Sequence, residues 1–173
     1  MELKGNQHIE ASVERVWNAL LDPAVLKECV PGCQELSGTV DDGFEATVVQ
    51  KVGPVKATFK GSLAIEEMDM PRSLRLRGQG NGGVAGFAKG SALVSLTAED
   101  GGTLLDYDVD SQIGGKLAQL GSRIISGFAK KMADDFFRNF KAQVEHAGVR
   151  DIEMPLTSNR IWQALQKAAG QDA

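Results

Sequence analysis

The apolar residues of this chain change period once, and that change constrains the fold more than any other feature. Between residues 33 and 113 apolar and polar positions alternate, which is typical of β-strands. Turn-forming residues interrupt the alternation at 41–43, 53–54, 70–72, 78–86 and 100–102. After Gly114 and Gly115 apolar residues recur every three or four positions to about His146, which predicts one long helix. At 1.5 Å per residue such a helix is roughly 45 Å long and can cross a whole sheet.

Two short helices are predicted after a first strand at residues 1–10. Ser12 is a suitable N-cap for the first, and Asp22 followed by Pro23 predicts the start of the second. The expected fold is therefore α+β: a curved antiparallel sheet of about seven strands wrapped on a long C-terminal helix. We expect residues 1–146 to form one domain, 147–159 a linker and 160–170 a short amphipathic helix.

Composition limits the function classes. The chain has 173 residues, of which 42% are hydrophobic, and this suits a single domain with a substantial core. Its formal net charge of −4 argues against general nucleic-acid binding, which needs a basic surface. The opening residues lack a signal-peptide pattern, and no apolar run approaches the length of a spanning helix. We therefore expect a cytoplasmic protein.

The predicted sheet and helix have few bulky residues with which to fill the space between them. Residues 78–92 (GQGNGGVAGFAKGSA) are mostly glycine and alanine, and Gly121 removes a further side chain from the apolar side of the helix. Protein interiors tolerate few voids, so a poorly filled apolar interior favours a ligand that completes the core. The alternative is that these glycines serve only bulges and tight turns.

Two motifs that mimic nucleotide and calcium sites are interpreted structurally. Gly78, Gly80 and Gly83 fit the G-x-G-x-x-G spacing, but that fingerprint requires a helix to begin at its third glycine, and a strand pattern follows here. Asp106, Asp108 and Asp110 resemble the start of a calcium loop without its glycine and its final glutamate. We interpret the three aspartates as an outward-facing stripe on a strand that pairs with cations of neighbouring strands.

Metal, redox and hydrolytic sites have little support in the sequence. His8 and His146 have no acidic or thiol residues near them at metal-ligand spacing, and Cys29 and Cys33 are predicted to be reduced thiols at a helix end. Between Lys51 and Lys89 there are seven basic and three acidic residues. This excess indicates either a docking surface for an acidic partner or an anionic membrane, or an ordinary solvated face.

Several separated motifs together resemble the CoxG family of carbon monoxide dehydrogenase subunits. They are VWNAL at 16–20, DP at 22–23, CVPGC at 29–33, VGPVKA at 52–57 and GGKLAQLG at 114–121. The resemblance covers roughly residues 1 to 145 and implies the helix-grip fold of the Bet v 1/START-like (SRPBCC) superfamily. It also implies a non-catalytic accessory protein that links a molybdenum-containing carbon monoxide dehydrogenase-type enzyme to the membrane and to respiratory quinone.

From this resemblance and the expected cavity we predict a carrier that binds a long apolar lipid, menaquinone or ubiquinone, between the sheet and the long helix. Its predicted lining residues are Phe59, Leu76, Phe87, Tyr107, Val109, Leu120, Ile124 and Phe128, with Trp17, Leu26 and Val30 as a lid. Tyr107, the only tyrosine, is a candidate to orient a ligand carbonyl. Two alternatives stay open: an adaptor that recruits the dehydrogenase without carrying lipid, and an enzyme of cyclase type.

Overall fold

The computed structural model describes the backbone of residues 1–153 and the side chains of residues 1–145. Its elements are β1 (Glu2–Ile9), α1 (Val13–Leu20), α2 (Pro23–Cys29), β2 (Cys33–Thr39), β3 (Gly43–Val52), β4 (Val55–Asp69), β5 (Ser73–Asn81), β6 (Phe87–Glu99), β7 (Gly102–Gly114) and α3 (Ser122–Glu153), with 3₁₀ segments at Gly83–Ala85 and Gly115–Leu120. The chain divides after Ala142 into two units, and the first contains every described strand. The predictions for 154–159 and 160–170 lie outside the described residues, and the backbone of 147–153, predicted as the start of a linker, continues α3.

The strands form one antiparallel sheet of seven strands in the order β1-β7-β6-β5-β4-β3-β2, as expected. Strands β2 to β7 follow one another as a meander, and β1 pairs with β7 at the edge. In such a meander alternate turns lie at the same end. The β3–β4 turn, the β5–β6 connection and the end of β7 therefore share one end of the sheet, and the three remaining turns share the other.

Both short helices begin where the sequence predicted. The Ser12 hydroxyl accepts a hydrogen bond from the Arg15 backbone N–H, and a carboxylate oxygen of Asp22 accepts one from the Ala24 N–H. These caps satisfy backbone donors that have no partner inside the helix. Pro23 occupies the first turn of α2, where its missing N–H costs nothing.

Two predicted boundaries were wrong, and glycine explains both. Strand β5 continues through the glycines to Asn81 because Gly78 and Gly80 keep extended backbone, so the break is shorter than 78–86. The long helix does not begin after Gly115. Residues Gly115–Leu120 form a 3₁₀ segment that ends at Gly121, whose φ of +93° cannot continue an α-helix. Helix α3 begins at Ser122 and runs past His146 to Glu153.

Alternation assigns the two faces of the sheet as predicted. Leu63, Leu76, Tyr107 and Val109 face α3, and the charged positions between them, such as Asp108, are exposed. The largest fully buried side chains are Trp17, Phe140, Ile9, Leu74, Leu105 and Val16. A second buried cluster joins the β3–β4 end of the sheet to the start of α3 through Val52, Leu117, Ile125, Val55, Phe59, Ile113, Leu120 and Phe128. We call this second group the hairpin cluster.

Candidate functional site

An apolar cavity of about 280 Å³ lies between the inner face of the sheet and α3. From the helix it is lined by Met132, Ala133, Phe136 and Phe137. From the sheet and the connections before it come Leu3, Leu20, Leu26, Val30, Pro31, Phe44, Leu63, Ile65, Leu74, Leu76, Ala92, Val94, Leu105, Tyr107 and Val109. Almost all of these side chains are hydrocarbon, so the cavity suits an apolar ligand.

A trough of about 340 Å³ extends the cavity along the inner face, and Leu63, Leu76, Ala92 and Val109 line both spaces. Its floor is built from the small residues predicted to leave the interior unfilled. One cross-strand row reads Ala46, Gly61, Gly80, Ala88 and Ile113. The next row contains Gly78, Gly90 and Ser111.

The floor of the trough is left empty for two reasons: Gly90 is required because an added Cβ would clash with the Asp110 carbonyl oxygen, whereas Gly78 and Gly80 have room for a side chain. An added Cβ on Gly80 would meet no atom within 4 Å, and one on Gly78 would meet only the flexible end of Leu63, at 3.2 Å, and the Ser62 carbonyl oxygen, at 3.4 Å. Leu63, Leu76 and Val109 are only half-buried although they face the helix. Apolar side chains at the centre of an inner face are usually fully buried, so this part of the interior has room for an apolar ligand.

Aromatic rings close the cavity at the other side. The rings of Tyr107 and Phe137 stack with centroids 5.1 Å apart and an interplanar angle of 23°. Phe136 meets Phe137 edge to face at 5.1 Å and stacks on Phe140 at 5.8 Å. No described residue hydrogen-bonds the Tyr107 hydroxyl. The hydroxyl lies over Gly5 of the edge strand β1, where an added Cβ would clash with it, and it is able to donate to a ligand oxygen there.

Helix α3 is held over the cavity by a hydrogen bond as well as by packing. The Asn139 side-chain amide donates to the Cys29 carbonyl oxygen, 3.1 Å away, and so ties α3 to the end of α2. The residues that follow α2, Val30 and Pro31, line the cavity. The Gln50 amide on β3 donates in turn to the Pro31 carbonyl. The α2–β2 connection is thus fastened on both sides of the cavity.

Wider grooves lie on the outer face of the sheet but have a different character. The largest, about 600 Å³, is lined by charged and polar side chains that include Glu45, Arg77, Lys89 and Asp110. These groups are exposed, and no helix covers them. A long apolar ligand gains little there because its chain stays in water, so the inner cavity is the stronger candidate site.

Five of the predicted ligand-binding residues line the inner cavity. They are Leu26, Val30, Leu76, Tyr107 and Val109. Leu26 and Val30 stand at the end formed by α2, which is where a lid was expected. The structure therefore brings part of the predicted lid together with the predicted wall.

The structure places the other predicted residues elsewhere. Trp17 is 2% exposed and belongs to the buried core. Phe59, Leu120 and Phe128 pack in the hairpin cluster, and Ile124 is 41% exposed beside Gly53. Phe87 lies on the outer face, where its ring covers its cross-strand partner Gly114. The helix residues predicted to line the cavity lie too near the start of the helical region to reach it, because the sequence did not show that Gly121 separates the 3₁₀ segment from α3.

Four helix residues of the cavity were missed by the sequence interpretation: Met132, Ala133, Phe136 and Phe137. The signal was present, because Met132 and Phe136 belong to the apolar stripe that predicted the helix. Once α3 is known to start at Ser122, the stripe from Met132 onward lies opposite Leu76 and Tyr107 and the stripe before it meets the hairpin cluster.

The aspartate, histidine and cysteine residues that could have suggested a metal or catalytic site are explained by their structural surroundings. Asp108 pairs with Lys4 on β1 at 3.7 Å, and His8 contacts Glu99 at 3.3 Å on the surface. Burial raises the pKa of Cys29 to about 11, so its thiol stays protonated and is a poor nucleophile. Over the described side chains, no group of three or more His, Cys, Asp or Glu could hold a metal ion. None of the helices described within residues 1–153 is both long and apolar enough to span a bilayer.

Solved structures share this fold. A conserved protein from Geobacillus kaustophilus is 28% identical with a TM-score of 0.79, over 85% of this chain and 97% of that one. A START superfamily protein from Mycobacterium smegmatis is 13% identical with a TM-score of 0.63, over 84% and 98%. TTHA0849 from Thermus thermophilus is 14% identical with a TM-score of 0.63, over 85% and 99%. The predicted helix-grip, START-like fold is confirmed.

Sequence comparison identifies the family. No curated protein matches the sequence significantly. The family model that describes the CoxG subunit of carbon monoxide dehydrogenase matches residues 5–145. That match spans strands β2 to β7, most of β1 and of α3, and the cavity lining apart from Leu3, and the chain belongs to the CoxG family.

Proposed function

We propose that this protein carries a prenyl quinone, menaquinone or ubiquinone, in the inner cavity and trough, and passes it between the membrane and a molybdenum-containing carbon monoxide dehydrogenase-type enzyme. One observation carries the proposal: the apolar interior between sheet and helix is unfilled and its walls are half-buried. A long hydrocarbon chain completes such an interior. Each CH₂ removed from water contributes roughly 0.8 kcal/mol to binding.

Membership in the CoxG family supports the accessory role and the partner. CoxG is named as a subunit of carbon monoxide dehydrogenase, and START-like proteins have a ligand-binding fold. The cavity wall supports a carrier more than an enzyme of cyclase type. Acid–base catalysis requires polar groups that converge on a reacting atom, and the inward-facing side chains described in the cavity and trough supply two hydroxyls, those of Tyr107 and Ser111, and no acid or base.

The direct test is organic extraction of the full chain purified from a quinone-producing host, followed by mass spectrometry. We expect one prenyl quinone at close to one molecule per chain. An extract without any lipid, from protein that still binds the purified dehydrogenase, would contradict the carrier function. It would favour the alternative of a protein adaptor, because binding to the enzyme would then be the only activity left.

Tyr107→Phe tests whether the hydroxyl orients the quinone. This substitution keeps the ring stacked on Phe137 and removes the one side-chain hydroxyl among the described residues that line the inner cavity, while leaving Ser111 on the floor of the trough. Loss of one hydrogen bond should weaken quinone binding roughly threefold to tenfold. Fluorescence titration with a quinone and with a hydrocarbon of the same chain length separates the effects. Only the affinity for quinone should change. An equal loss of affinity for both ligands would show that the substitution disturbs packing against the ligand and that the hydroxyl does not hydrogen-bond the quinone.

A further inference from the structure

We propose that one end of the sheet docks on an anionic lipid membrane. This end consists of residues 50–61, 81–90 and 112–124, and we call it the acid-free end. It contains Lys51, Lys56, Lys60, Lys89, Lys116 and Arg123 but no Asp or Glu, although the chain has a formal net charge of −4. The inference rests on the proposed carrier function only in naming the membrane from which lipid is taken; its physical basis is separate.

The three segments of the acid-free end converge in space. The backbone of Gly86 lies against the carbonyl of Gly114 and the N–H of Lys116, so the β5–β6 connection contacts the start of the 3₁₀ segment. Gly53, in the β3–β4 turn, faces Ile124, whose side chain would lie 3.4 Å from an added Cβ. Cations that are scattered along the sequence are therefore gathered on one end of the sheet.

These cations are exposed, and none of them forms an ion pair with a described residue. Lys51 and Lys56 are directly opposite each other on β3 and β4. Like charges at opposed positions destabilise a strand pair, and no acidic neighbour offsets the repulsion here. The repulsion between these two lysines lowers the stability of the free protein, and an anionic surface that lies against them offsets this repulsion.

The same end exposes apolar side chains at its tip. Val84, in the 3₁₀ segment between β5 and β6, is 94% exposed, and Ile124 is 41% exposed. Exposed apolar side chains at an end of the sheet that also carries lysines match the interface of a bilayer, where hydrocarbon enters below the charged headgroups. The first turn of α3 lies at this end and has no acidic residue, so its partial positive charge adds to that of the cations.

The kind of cation favours lipid over an acidic protein. All but one of the six are lysines, which act as hydrated point charges and suit a diffuse layer of headgroups. A protein interface usually needs an apolar core within about 800 Å² per partner, and Val84 and Ile124 do not form one. The opposite end of the sheet has acidic turns, including Asp41, Asp42 and Asp100. An anionic membrane repels that end and attracts the acid-free end, which fixes the orientation.

Docking in this orientation brings the membrane close to the trough. Ala88 and Ile113 line the trough near the start of β6 and the end of β7. The hairpin cluster, with Leu120 and Phe128, separates the trough from the start of α3. A lipid that leaves the bilayer at the acid-free end therefore meets the trough beside Ala88 and Ile113, next to the apolar side chains of the hairpin cluster.

Vesicle binding by the full chain tests the inference. The variant K51Q/K56Q/K116Q/R123Q removes four exposed cations from the acid-free end. The control K4Q/K27Q/R72Q/R138Q removes the same charge from exposed positions elsewhere. We expect wild type and control to bind phosphatidylglycerol vesicles, and the first variant to bind roughly 100-fold to 1,000-fold more weakly at low salt. Phosphatidylcholine vesicles should bind all three weakly.

The salt dependence and Val84 provide a second readout. Binding of wild type should fall as salt is raised, because the screening length shortens from about 10 Å at 0.1 M to about 3 Å at 1 M. Val84→Ser should weaken binding severalfold at every salt concentration, because it removes hydrocarbon and not charge. Val84 is too exposed to affect folding.

Three outcomes would overturn the inference. One is that the first variant binds anionic vesicles as tightly as the control does. Another is that wild type binds neutral vesicles more tightly than anionic ones. The third is that the first variant still binds vesicles but no longer binds the purified dehydrogenase. The last result would assign the acid-free end to a protein partner. Extraction of quinone from the same preparations keeps the two proposals apart. If the first variant still contains quinone but no longer binds vesicles, the docking proposal is supported. If the protein binds vesicles but contains no quinone, only the carrier function is contradicted.

Discussion

Gly80→Phe should empty the protein of its quinone while leaving the fold intact or slightly more stable. Gly80 lies in β5 on the floor of the trough, and an added Cβ would meet nothing within 4 Å. A phenylalanine ring placed there occupies the space that we assign to the prenyl chain. Glycine weakens strand interiors and aromatic residues suit them, so stability should rise by up to about 1 kcal/mol. Mass spectrometry of the extract and urea denaturation give the two measurements.

Gln79→Phe is the matched control for this substitution. Gln79 precedes Gly80 on the same strand and is exposed; it borders the trough, but by alternation its side chain lies on the outer face of the sheet, where it lines the outer groove. The control introduces the same ring at the same distance along the sheet, and we expect it to retain the quinone at the level of wild type. Equal retention by Gly80→Phe and wild type would place the ligand outside the trough, and equal loss in both variants would indicate a general effect of the ring.

The fold could be predicted from the sequence because its signals are local and repeated. Alternation fixes which residues of each strand face inward, and turn residues separate the strands in a meander whose neighbours are neighbours in sequence. Side-chain caps at Ser12 and Asp22 fix the starts of α1 and α2. Each of these features depends on a few adjacent residues, so no knowledge of distant contacts was needed.

The site was predicted only in part because it depends on how distant elements meet. The glycine-rich stretch indicated an unfilled interior, and its residues do form the floor of the trough. The position of α3 over that floor depends on Gly121, whose positive φ moves the start of the helix and shifts which apolar residues reach the cavity. Phe87 illustrates a second limit: in a run rich in glycine, alternation is too weak to show that its ring faces outward.

Truncations of Leu74 and Leu76 should differ in cost, although both residues lie on the same face of β5 and line the same cavity. Leu74 is 1% exposed, so Leu74→Ala removes a fully buried side chain and should lower the free energy of unfolding by about 3 to 5 kcal/mol. Leu76 is half-buried beside space that is already open. Leu76→Ala leaves no new sealed void, and in lipid-free protein it should cost about 1 to 2 kcal/mol.

Bound quinone should reduce the difference in unfolding free energy between the two truncations. A ligand that binds only the folded state stabilises it in proportion to its affinity, and Leu76 lies where cavity and trough meet and can contact the prenyl chain. In quinone-loaded protein Leu76→Ala should therefore cost more than in lipid-free protein, whereas the cost of Leu74→Ala, most of it lost core packing, should change less. Urea denaturation of both variants with and without quinone measures the four values. Equal costs in lipid-free protein would mean that the interior at Leu76 is already closed, and the argument for a ligand that completes it would fail.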